Sequence, residues 1–132
     1  MHLFLLRLCA GGLMLAFHGW PKWQKFDQLL TTFPDPIGLG SAVSLILVIF
    51  AEAICSIFIM TGTYVRLACI PPIITMLVAA FIVHANDPIS TIELPIMYLV
   101  MYIAIFNAGP GKWAFQPIKW RPKSNLLTKL FT

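Results

Sequence analysis

Charge is what this chain has least of. Nine Lys and Arg and five Asp and Glu make up 11% of 132 residues, where a soluble domain carries about 25%. Cysteine is nearly as sparse. Cys9, Cys55 and Cys69 each lie inside an apolar run with no CxxC pair or zinc-like spacing, which excludes a disulfide scaffold and a metal site. A Gly-rich phosphate loop, a Ser-His-Asp order, a metal triad and a flavin fingerprint are missing too, and the histidines form no bis-haem pattern. No internal repeat or low-complexity segment occurs. A self-contained soluble enzyme is thereby excluded.

What fills the chain instead is apolar. Hydrophobic residues make up 59% of it, against about 45–50% in a soluble domain, and the mean hydropathy is +0.85. An integral membrane protein is implied. A spanning helix takes about 20 apolar residues, so four of them with short connections occupy almost the whole chain. The expected spans are Leu3 to Trp20, Ala42 to Met60, Leu67 to Val83 and Ile92 to Ala108, the first a retained span because Arg7 interrupts it and no cleavage site comes after it. The fold class expected is an all-α, integral membrane four-helix bundle, with a four-span domain over 1–115 and a basic cytoplasmic tail over 116–132. Ser90-x-x-Glu93 has the form of a capping box for the fourth span, with Pro95 in its first turn. Pro71-Pro72 is expected to bend the third span or delay its start. Trp23, Phe26 and Leu30 recur at helical spacing, as in an interfacial extension of the first span.

The net charge of +4 points to orientation rather than to nucleic acid, because the basic residues flank apolar runs. Arg7, Arg66, Lys112, Lys119, Arg121, Lys123 and Lys129 fall on the side shared by both termini, and Lys22 and Lys25 on the other. The asymmetry places both termini in the cytoplasm, with Trp20, Trp23, Trp113 and Trp120 as interfacial anchors.

Function in such a chain is expected at the few polar groups within the spans. A charge at the bilayer centre costs about 2.5–3.5 kcal/mol, so it faces the bundle interior with a partner. Glu52 is midway along the second span, with Cys55 and Ser56 on the same face at i+3 and i+4. Arg7, Gly11, Met14 and His18 form one stripe of the first span. By helical rise, Arg7 falls roughly 8 Å to the cytoplasmic side of Glu52 and His18 roughly 8 Å to the outer side. His84 ends the third span. Imidazole changes charge near neutral pH, so His18 and His84 above Glu52 make a proton relay or a head-group clamp. Two readings stay open at each position: helix anchoring, or proton handling and ligand binding. Glu93 and Asp87 are accounted for by the cap and by a turn. Cys9 and Cys55 have similar depth, which leaves a dithiol open, and Tyr98 and Tyr102, one turn apart, are placed to line a quinone pocket.

Several segments then resemble the DoxX family of small bacterial membrane proteins. They are Leu6-Arg7-Leu8 leading to His18-Gly19-Trp20-Pro21-Lys22, then Pro34-Asp35-Pro36-Ile37-Gly38-Leu39-Gly40-Ser41, and Phe50-Ala51-Glu52-Ala53-Ile54-Cys55-Ser56. Thr63-Tyr64-Val65-Arg66-Leu67-Ala68, Phe81-Ile82-Val83-His84 and Gly109-Pro110-Gly111-Lys112 come after them in order. Ser90-Thr91-Ile92 departs from the family's polar approach to Glu93, as does the basic tail after Trp113. The resemblance implies a four-helix membrane fold and an association with oxidoreductase complexes, including thiosulfate- and quinone-linked systems and oxidative-stress defence. The expectation is a multi-pass protein of a bacterial inner membrane, a redox-associated subunit that binds a quinone or another small hydrophobic ligand around Glu52. Glu52 exchanges a proton, His18 orients the head group and Arg7 biases the charge of Glu52, with His84, Cys55, Ser56 and Met14 lining the pocket. No metal and no cofactor within the chain are expected, and catalysis is expected only with a partner oxidoreductase subunit or in a homo-oligomer. The alternatives are a non-enzymatic transporter or binding protein, and a structural subunit of a membrane complex.

Overall fold

The computed structural model describes residues 1–115; the tail expected over 116–132 lies outside the described residues. All regular structure among these residues is helical. Four long helices, α1 (His2–Gln24), α3 (Ser41–Thr61), α4 (Val65–Val83) and α5 (Ile89–Ala108), are long and apolar enough to cross a membrane. A single short turn of helix, α2 (Phe26–Leu29), comes directly after α1. α1 packs on α3, α3 on α4, α4 on α5, and α5 back on α1. Tyr102, Met14, Ile59, Ile105 and Cys69 fill the centre, while Phe17, Phe81 and Val100 project outward, 60–70% exposed. Apolar residues thus face both ways, because the lipid outside is as apolar as the core inside. Van der Waals packing and interhelical hydrogen bonds then hold the helices together.

Three of the helices contain a π-turn: Leu15–Gly19 in α1, Phe50–Ile54 in α3 and Ala79–Val83 at the end of α4. A π-turn inserts one residue into the helix and rotates the residues beyond it. The first two meet in space. Their contact is made by Gly19, where a Cβ would stand 2.8 Å from the Glu52 carbonyl oxygen and 2.9 Å from the Ala53 amide nitrogen. Only hydrogen fits there, so two backbones touch at the level of Glu52. His18, expected 8 Å beyond Glu52, is therefore level with it, because α1 continues four residues past Trp20 and carries a π-turn.

The bundle has two unlike ends. At the far end, opposite Met1, α1 breaks at Lys25, and α2 with the loop after it folds against α3. Phe26, Leu29, Leu30 and Phe33 pack there on Leu45, Ile49 and Ala53. The expected extension of the first span is thus broken at Lys25, with Trp23 remaining in α1 and Phe26 and Leu30 turned against α3. Asp35 closes the loop by accepting hydrogen bonds from the N–H groups of Leu39 (2.9 Å) and Gly40 (2.7 Å) and from Ser44 Oγ (2.9 Å). At the near end, residues 109–115 fold back beneath the α3–α4 turn. The Phe115 N–H donates to the Thr61 carbonyl (3.0 Å), and Thr63 Oγ1 donates to the Phe115 carbonyl (3.2 Å). Gly62, with φ +85°, would place a Cβ 2.6 Å from Ala114 Cα, so this turn needs glycine for both conformation and space.

Three local expectations are corrected. α5 begins at Ile89 with Pro88 at its N-cap and no side-chain cap, so Ser90 and Glu93 form no capping box. The Pro88 carbonyl instead accepts the Thr91 N–H at 2.8 Å. The earlier start puts Pro95 in the second turn, and gives α5 20 residues, about 30 Å at 1.5 Å per residue, enough to span. α4 is helical from Val65 straight through Pro71 and Pro72, so the prolines do not delay it.

The contact at Gly19 and the loop at Asp35 are both open to test. Gly19→Ala loses about 1–3 kcal/mol by forcing the backbones apart, read as a lowered unfolding midpoint in detergent. Gly12→Ala, whose Cβ would meet only Met60 Cε at 3.9 Å, leaves that midpoint unchanged. The Gly40 N–H above all, with Ser44 and Leu39, holds the Asp35 carboxyl below its ordinary value of 3.8 against an opposing desolvation. The loop's stabilisation is therefore complete above that value and is lost as pH falls through the lower folded one. Amide protection at Leu39 and Gly40 declines in that acid window, and in Asp35→Asn the decline disappears.

Candidate functional site

The polar cluster inside the bundle assembles where the π-turns of α1 and α3 meet. Glu52, 4% exposed, points at α1. Lys22 Nζ donates to Glu52 Oε2 at 2.6 Å, a salt bridge in which the glutamate side chain is buried and the lysine side chain is 23% exposed. The same ammonium donates to the His18 carbonyl at 3.3 Å. The lysine stem reaches back along its own helix, so a residue near the end of α1 puts its charge one turn deeper. The His18 ring stands edge-on to Tyr98, with centroids 5.6 Å apart and planes at 83°. Tyr98 in turn stacks on Tyr102 at 6.1 Å, and the Tyr102 hydroxyl faces the Ala10 carbonyl at 3.5 Å. α1, α3 and α5 each contribute to one cluster.

Unused hydrogen-bonding capacity converges there. An ammonium has three donors, and Lys22 spends two. Neither ring nitrogen of His18 nor the Tyr98 hydroxyl is bonded to another described residue, and the fully buried Ser56 Oγ lies beside the Tyr102 hydroxyl. A carboxylate, an ammonium, an imidazole and a phenol with spare donors can bind a polar head group and exchange a proton with it.

The structure divides the residues singled out in the sequence. Glu52, His18 and Ser56 belong to the cluster. Met14 and Cys55 are packed in the apolar core beside it. Arg7 is a correction: it does not reach Glu52. Its guanidinium, fully buried, donates to the carbonyls of Pro110 and Trp113 and lies 5.9 Å from the Phe4 ring, so it clamps the 109–115 segment. His84 is the second correction. The short turn after α4 binds its Nδ1 to Asp87 Oδ2 at 2.6 Å, and no hydrogen bond joins it to Glu52 among the described residues. All three cysteines are free thiols, Cys9 exposed and Cys55 and Cys69 buried. Lys22 is a site residue that sequence reasoning missed. Its signal was present, four residues after His18 in the same helix, but its place outside the apolar run read as a surface charge. No group of His, Cys, Asp or Glu that could hold a metal ion occurs among the described residues. An outward-opening groove of about 490 Å³ lies at the far end, and none of the expected site residues lines it.

Spans, packing and cluster together define a four-helix membrane protein with an ion pair at the heart of its polar core. The DoxX family model matches residues 2–85, from the start of α1 to just past α4. The chain belongs to the DoxX family. No curated protein and no solved structure matches it.

The pair is testable as a unit. Breaking a buried ion pair from one side leaves an uncompensated charge, while replacing both partners is far less costly. Lys22→Met alone therefore destabilises by about 3 kcal/mol, and Lys22→Met combined with Glu52→Gln recovers most of that loss. Unfolding midpoints of the two single variants and the double variant in one detergent provide the cycle. Additive losses would dissolve the pairing.

Proposed function

We propose that the protein is a redox-associated subunit of a bacterial inner-membrane complex, with both termini cytoplasmic, that binds a quinone or a similar small hydrophobic carbonyl compound at the Glu52 cluster. The observation that carries this reading is a buried carboxylate bonded to Lys22, with the His18 and Tyr98 rings in edge contact at the same level of the bundle. Quinones present carbonyl oxygens as acceptors on a flat ring, and this donor set with an adjoining tyrosine pair fits them.

Lys22 and His18 would hold the carbonyl oxygens, and the Tyr98 and Tyr102 rings supply flat apolar surface. A bound quinone supplies two-electron, two-proton chemistry, with the electrons delivered by a partner oxidoreductase subunit. Glu52 holds or returns a proton at its Oε atoms, and Lys22 keeps the negative charge compensated while it does so. Desolvation strengthens both roles, since charges and dipoles interact more strongly away from water. The orientation is supported by Arg7, Arg66 and Lys112 at the near end. Lys22, neutralised within the ion pair, leaves only Lys25 as an uncompensated basic residue at the far end.

A purely structural role is the second reading, favoured by the backbone contact at Gly19 that the ion pair adjoins. Titrating the purified protein with decylubiquinone, monitored by tryptophan quenching, separates the two. Tyr98→Phe removes one donor without changing the ring packing, and weakens binding about two- to tenfold, the range of one hydrogen bond. Glu52→Gln in folded protein shifts the pH dependence of binding. Saturable binding that neither variant alters would remove the cluster from the site. A protein that takes up no decylubiquinone and unfolds on Glu52→Gln would establish the structural role instead.

A further inference from the structure

At the far end, the groove between the end of α1, α2 and α3 opens outward, toward the surroundings of the bundle. Its walls are aromatic and aliphatic, with Trp23, Phe26 and Phe50 joined by Ile46 and Ile54, and its single charged lining residue is Asp27. Trp23, Ile46 and Phe50 are 56%, 52% and 46% exposed. Asp27, exposed on α2, makes no hydrogen bond or ion pair with any described residue. The contrast with its neighbours is sharp: Glu52 is bound to Lys22, Asp35 to its loop and Asp87 to His84. Asp27 is thus the charged group of the groove wall, and Lys22 is already committed to Glu52.

The chemistry of the groove selects one kind of occupant. A carboxylate and a tryptophan lining one groove can together recognise an ammonium group, through charge and through the ring quadrupole. The apolar stripe of α3 below it, Ile46, Phe50 and Ile54 at helical spacing, suits an acyl chain lying along the helix. We propose that this groove is a binding site for one phospholipid whose head group carries an ammonium, the ammonium meeting Asp27 and Trp23 and one acyl chain lying on α3. Lys25, exposed in the break between α1 and α2, is the cation available to the lipid phosphate. The site shares no lining residue with the Glu52 cluster, so it stands whether or not that cluster takes a quinone.

The experiment uses the full chain exchanged into vesicles of equimolar phosphatidylethanolamine, phosphatidylcholine and phosphatidylglycerol with matched acyl chains, then gently extracted and measured by native mass spectrometry. One lipid is retained per chain, and the ammonium lipids exceed phosphatidylglycerol by about two- to fivefold, the range of a single exposed cation–aromatic contact. Ethanolamine above choline marks hydrogen bonding to Asp27 as the selector, and equality of the two marks the Trp23 face; both support the site. Asp27→Asn lowers the ratio, and Ile46→Trp, which fills the groove from an outward-facing position, removes the retained lipid. Equal retention of all three lipids, an excess of phosphatidylglycerol, an unchanged ratio in Asp27→Asn or undiminished lipid in Ile46→Trp would each overturn it.

Discussion

A carboxylate cannot lie unpartnered in the middle of an apolar bundle, and the salt bridge between Glu52 and Lys22 is how this protein meets that constraint. The pair ties α1 to α3 at one level, and the rest of the architecture conforms to it. Both helices carry a π-turn there, and Gly19 lets the backbones approach until a methyl group would not fit between them. In lipid there is no hydrophobic force to press helices together, so close backbone contact and an interhelical ion pair are the means available. The same level of the bundle holds the His18 ring, edge-on to Tyr98.

The two ends of the bundle handle their polar groups differently. At the near end a fully buried arginine donates its two terminal nitrogens to backbone carbonyls of residues 110 and 113, while its Nε has no partner among the described residues. This closes the bundle with its own chain and leaves Arg7 no part in the Glu52 chemistry. At the far end the chain turns inward instead: α2 and the Asp35 loop pack on the outer half of α3, and between them the groove stays open. One end is sealed by a cation, and the other presents a carboxylate to its surroundings.

Much of this was legible without coordinates. Glu52 stood out because a charge inside a long apolar run is costly, and its burial together with Ser56 and Cys55 accords with helical spacing. The helical recurrence of Trp23 and Phe26 just past the first span was equally visible. The partner of Glu52 was not. A straight helix places His18 above Glu52 and Arg7 below it at comparable distances, so Arg7 was the natural counter-ion. A π-turn in each helix changes register by one residue, a rotation of about 100° and a rise of about 1.5 Å, and sequence periodicity carries no mark of where such a turn falls. The capping box at Ser90 failed for a related reason: the motif is present, but the helix starts before it, with Pro88 accepting the first bonds.

Composition and hydropathy were enough to determine four spanning helices, their approximate limits and the one acidic group at depth, because these depend only on the cost of placing each residue type in lipid. Tertiary structure decided which cation answers that acid, which histidine stands beside it and which arginine is spent on the 109–115 segment. Those outcomes depend on helix register, on a glycine that permits two backbones to touch, and on how far a lysine stem can reach, none of which is a property of any single segment.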